Sequence, residues 1–164
     1  MSPLASLQNT FSAAVLGLLL LSQPAQTVGE KECAAPQPEV DSTYRPGQVW
    51  SYNARPAEAA STVTILRVER TPKLGVIVHI RVDGVKFKNC TGGPSPSEID
   101  HAPFTKAAMD KSVSRKLRTD AKLPDFAAGY DDWLAHCGGV YTLSIAEMVA
   151  VNDATFNAGL GCKA

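Results

Sequence analysis

Cysteine, histidine and a run of small residues occur together in FKNCTGGPSPSEIDHAPF, residues 87–104, where Cys90 and His101 flank glycines, prolines and serines. A thiolate kept reactive by a nearby imidazole is the core of a Cys–His hydrolase, usually with a third group orienting the ring. This chain offers Cys90 with His101, or Cys137 with His101 or His136, as such pairs. His136 and Cys137 are adjacent in a predicted helix, so their side chains diverge by about 100°. Cys137 also falls on the apolar stripe of that helix, where burial or a disulfide is the expected role. Cys90, His101, His136 and Cys137 are zinc-ligand types, but their spacing matches no compact ligand pattern. No metal and no cofactor is expected. Nor does the chain contain G-x-S-x-G, S-x-x-K, H-E-x-x-H or a phosphate loop.

His101 stands just before a predicted helix start, where exposed amides and an imidazole together can receive an anion. A solvated or backbone-bonded imidazole is the plainer reading. Trp50 and Tyr52 share one face of a predicted strand and form either a ligand platform or core. Lys111, Arg115, Lys116, Arg118 and Lys122 cluster within DKSVSRKLRTDAK. In a helix, Lys111, Arg115 and Arg118 share a face that is a docking patch for an acidic partner or anionic lipid, or simply a solvated surface.

Lys plus Arg and Asp plus Glu both number 16, for a formal net charge of zero. Nucleic-acid binding calls for a basic excess, and that class is not expected. The N-terminal run Phe11–Leu21 is apolar and followed by Ser22, Gln23 and Pro24. It is shorter than the roughly 20 residues of a membrane span and matches the apolar region of a secretory signal. Residues 1–29 are therefore expected to be a signal peptide, with an uncleaved anchor as the alternative and no stable membrane span after cleavage. The four cysteines, Cys33, Cys90, Cys137 and Cys162, all follow this leader. An even count in an exported chain predicts two disulfides. Proximity of chain ends favours Cys33–Cys162 with Cys90–Cys137 among the three connectivities.

The elements that must position these residues follow from periodicity. Residues 30–46, with Pro36, Pro38 and Pro46, form an extended lead-in, and residues 47–162 form a single domain. QVWSYNA, STVTILRVER and LGVIVHIRV alternate as strands. Asp83-Gly84 offers a hairpin turn into a further strand at VKFKN. Helices are predicted over FTKAAMDKSV, capped by Thr105, and over PDFAAGYDDWLAHC, with Phe126, Tyr130, Trp133, Leu134 and Cys137 on one stripe. VYTLSI reads as one more short strand. Ser144 and Glu147 then form a capping box opening a helix that ends at Gly159. The expected fold is α+β: a small antiparallel meander followed by two to three helices packed on one face, with one further short strand.

YRPGQVWSYNARPAEAASTVTILRVE, KLGVIVHIRVDGVKFKN, HAPFTKAAMDKSV and LPDFAAGYDDW together resemble a group of small bacterial proteins of unknown function, across roughly residues 44–156. The resemblance implies a bacterial origin and brings no activity or catalytic residue with it. The sequence thus points to a secreted or periplasmic α+β domain that binds an unidentified protein or small ligand through Trp50, Tyr52 and His101. The alternative is a hydrolase using His101 with Cys90 or a nearby carboxylate.

Overall fold

The computed structural model describes residues 34–162; the predicted leader and Cys33 lie outside the described residues. It is an α+β fold built on an antiparallel sheet: β1 (Gln37–Pro38), β2 (Gln48–Tyr52), β3 (Thr62–Thr71), β4 (Gly75–Asp83), β5 (Glu98–Thr105) and β6 (Val113–Thr119). The helices are α1 (Lys106–Ser112), α2 (Ala127–Ala135) and α3 (Ile145–Gly159). Strand order is β5-β4-β3-β2-β6, with β1 pairing to β3. The lead-in therefore joins the sheet, and its Tyr44 is buried in the core.

Alternation in β4 sends Val78, Ile80 and Val82 into one apolar cluster, and β3 adds Val63 and Ile65 before, and Val68 after, an extra residue at Leu66 that switches the faces of the strand. Ala108 and Met109 of α1 and Ile145, Met148 and Val149 of α3 close over it. Both helix starts are capped as their sequences predict. Thr105 accepts from the Ala108 amide at 3.2 Å, and Ser144 and Glu147 form a reciprocal capping box.

The sequence expectation fails in three places, each for a tertiary reason. VKFKN forms no strand, because carboxylates from elsewhere take its amides. Glu58 accepts from Lys86 N at 2.5 Å and Asp153 from Lys88 N at 2.8 Å. The hairpin partner of β4 is instead β5, EIDHAPFT, drawn from the end of the Gly/Pro/Ser stretch. Pro103 is tolerated there because β5 is an edge strand. The basic segment after Ser112 is likewise not helical. The Ser112 hydroxyl donates to Ala108 O and accepts from Ile145 N, and Val113 is extended, so the chain leaves the helix and pairs with β2. VYTLSI contributes only an isolated bridge between Tyr141 and Phe104.

Cys90 is bonded to Cys162, which replaces the expected Cys33–Cys162 and Cys90–Cys137 pairs. The reason lies in the Asp153–Lys88 contact, which holds the 84–97 loop against α3 so that the end of that helix meets Cys90. Cys137 is also disulfide-bonded. Among the described residues no helix is long and apolar enough to cross a membrane.

Candidate functional site

The face of the sheet opposite the apolar core carries a buried polar cluster. His79 of β4 pairs across the ladder with Arg67 of β3, at a bulge that accommodates Leu66. A second irregularity, between the Ile80–Ala102 and Val82–Ile99 pairs, accommodates Asp100 and His101 in β5. His101 is thereby brought to the same face as His79, and its Nε2 lies 2.8 Å from His79 Nδ1. The two ring planes are nearly parallel, at 18°, with centroids 5.1 Å apart.

Glu69, one pleat from Arg67, is fully buried and receives Arg67 Nε at 2.5 Å. Tyr130 of α2 donates its hydroxyl to both carboxylate oxygens at 3.0 Å. Arg67 also lies over the Tyr130 ring, 4.8 Å from its centroid. His79 Nε2 sits 3.3 Å from Glu69 Oε2 but off the line of a hydrogen bond. A bare Nε2 lone pair facing that carboxylate would be repelled, so the favoured tautomer carries its proton on Nε2. His79 Nδ1 then accepts from His101 Nε2–H, and His101 keeps an unprotonated Nδ1. Trp133 and Tyr130 meet the His79 ring edge-on at 4.8 and 5.3 Å.

The cluster favours neutral imidazoles. Burial, then His101, then Arg67 push the His79 pKa down to about 3. Burial lowers His101 as well. The Tyr130 hydroxyl is raised by burial and by its bond to Glu69, so it stays a donor.

Gly129 lets α2 seat on this cluster: a Cβ there would lie 2.7 Å from His101 Cβ. Gly129→Ala is therefore expected to lift α2 and to cost about 1–3 kcal/mol, as overpacking does. Near-ultraviolet circular dichroism and chemical denaturation, in a Trp50→Phe background that leaves Trp133 as reporter, measure both effects. Unchanged spectra and stability would refute the close seating.

The residues singled out in the sequence separate in space. Cys90 is tied to Cys162 and has no free thiol to pair with His101. No Ser, Thr or Cys side chain hydrogen-bonds to His101 among the described residues. His136 is exposed, bonded to its own helix at Asp132 O. Tyr52 is buried, its hydroxyl 2.9 Å from Ser61 Oγ. Trp50 is half-buried, its indole N–H donating to Gln48 Oε1 at 3.1 Å and its ring tilted against Tyr44. It forms one wall of an open cleft of about 430 Å3 shared with Ser42, Thr43, Arg45, Gln48 and Lys116. Arg45 and Lys116 are exposed and have no ion-pair partner among the described residues. Glu69, Arg67 and Tyr130 escaped sequence reasoning. Alternation puts His79 on the non-core face of β4, but it would place Arg67 and Glu69 with Val63 and Ile65 on the core face; only the bulge at Leu66 turns them to the side of His79.

No protein-family model, curated protein or solved structure significantly matches the chain. The class that can be stated is therefore that of the fold, a disulfide-linked α+β domain.

Proposed function

We propose that this chain is a non-catalytic binding module, exported to the periplasm or the cell exterior, that takes an anionic group in the cleft beside Trp50. The observation that carries the reading is the pair of cations without an ion-pair partner among the described residues, Arg45 and Lys116, that line one cleft with a partly exposed indole. Such an arrangement supplies two charge-assisted donors and an apolar platform for the carbon skeleton that bears the anion. Export is supported by the leader-like N-terminus and by the Cys90–Cys162 disulfide, which is at home in an oxidising compartment.

A hydrolase based on His101 is the second reading, and the Glu69–His79–His101 chain is the observation in its favour. Glu69 faces His79 without a hydrogen bond, and His79 is bonded to His101, an order of groups like that of a carboxylate and a catalytic base. Against it stands the packing of α2 over the pair and the commitment of Cys90 to a disulfide.

The acetylated, amidated dipeptide Glu-Glu tests the cleft, being too short to form a sheet ladder. In a heteronuclear NMR titration at low salt it is expected to shift the Trp50 indole N–H and the Lys116 amide. Lys116→Glu should weaken these shifts at least fivefold. No response at Trp50, or an equal response in Lys116→Glu, would overturn the reading.

A further inference from the structure

We infer that the ligand is an extended acidic peptide segment that adds as a strand to the free edge of β6. The inference rests on the anion-binding reading above and names the partner for it. β6 pairs with β2 along one side only, and among the described residues no strand covers its other side. Every residue from Ser114 to Thr119 is exposed, so backbone donors and acceptors face solvent along an edge whose ladder is shifted at Ser114 and at Leu117. A peptide strand docks on such an edge through main-chain hydrogen bonds, with alternate side chains supplying specificity.

The register decides what those side chains would meet. Lys116 is opposite Trp50, whereas Arg115 and Arg118 are opposite Ser51 and Val49 on the other face. Cations therefore stand on both faces of the edge, and adjacent acidic residues of an added strand, whose side chains point to opposite faces, find one on either side. Arg118 is shared with Asp120 at 2.9 Å, but Arg115 and Lys116 have no ion-pair partner among the described residues. The same charges disfavour a second copy on this edge, since antiparallel self-pairing would bring like charges together. Charge complementarity thus selects an acidic strand, and Lys116 connects that strand to the Trp50 cleft.

The test uses a fluorescently labelled heptapeptide, Val-Glu-Glu-Val-Glu-Glu-Val, whose glutamates point to both faces of a strand, capped at both ends, with two controls. One control is N-methylated at alternate residues, which keeps the charge and removes the ladder donors. The other replaces Glu by Lys. The acidic peptide is expected to bind and to slow hydrogen exchange at β6 amides. N-methylation should weaken binding at least tenfold, and the Lys peptide should not bind.

Equal binding of the N-methylated peptide, or no added protection in β6, overturns strand addition. If the Glu-Glu dipeptide still shifts Trp50, the anion-binding reading survives that failure. If the dipeptide is silent as well, both fall. A peptide-free dimer whose contact protects β6 would also overturn the inference, by giving the edge to a second copy.

Discussion

Acidification from pH 6.5 to pH 5 is expected to destabilise the folded domain by about 1.7 kcal/mol through His79 alone, the slope rising from half a proton at pH 6.5 toward one proton, or 1.36 kcal/mol per pH unit. The His79 imidazole titrates near 3 in the folded state, far below the ordinary value near 6.5 of an unfolded histidine. A depressed histidine makes its full contribution above the unfolded value. Below it the unfolded chain takes up a proton that the native state refuses, so stability falls as pH drops from 6.5 toward 3. His101 is lowered by burial and acts in the same direction. The paired carboxylates Glu58 and Asp153 are themselves held below their ordinary values, so their loss comes at lower pH. The window from 6.5 to 5 therefore isolates the histidines.

Urea denaturation at half-unit pH intervals measures this slope, and His79→Gln should reduce it by about one proton. Where that variant fails to fold, the imidazole C–H resonances of the unaltered protein give the titration directly. A free energy flat between pH 7 and pH 5, or a His79 ring titrating near 6.5, would refute the neutral buried pair. The physical cause is local. Protonating both rings removes the acceptor from the His79–His101 bond and puts a charge beside Arg67, beneath Trp133 and Tyr130.

Replacing Arg55 by Met is the second large expected effect, a loss of about 3 kcal/mol. Arg55 spans Glu58, bonded through Nε at 2.8 Å, and Asp153, bonded through Nη1 at 2.7 Å. The Glu58 side chain is fully buried and that of Asp153 is 8% exposed, while Arg55 itself is 23% exposed. Removing the guanidinium leaves two enclosed carboxylates facing each other with only backbone and amide donors. Partial access of water to the vacated site keeps the estimate at the lower end of the range for broken buried pairs. These carboxylates also anchor the Lys86 and Lys88 amides, so loosening should spread into the 84–97 loop. Thermal unfolding and hydrogen exchange at Lys86 and Lys88 measure the effect. A loss below about 1 kcal/mol with unchanged exchange would show that the backbone donors suffice.

Elements governed by neighbours in sequence are those the sequence determined by itself. Alternation in STVTILRVER and LGVIVHIRV is enough to mark two strands, because side chains alternate faces whatever the partner, although neither their burial on both faces nor the bulge at Leu66 is encoded there. Thr105 and the Ser144–Glu147 box mark helix starts because a cap closes within one turn. The stripe of α2 likewise brings Tyr130 and Trp133 to one side.

Tertiary structure decided the rest. EIDHAPFT carries a proline and follows a Gly/Pro/Ser stretch, and only the vacant edge of β4 makes it a strand. DKSVSRKL suits a helix as well as a strand, and Ser112, bonded to both Ala108 and Ile145, sets the point of change. The cysteine pairing followed from where Asp153 pins a loop, not from the positions of chain ends. His79 and His101 lie on different strands, and two ladder irregularities set the registers that join them to Glu69. A one-residue slip in either register would turn a ring to the opposite face. Such contacts depend on pairings between distant segments, and local residue preferences do not encode register.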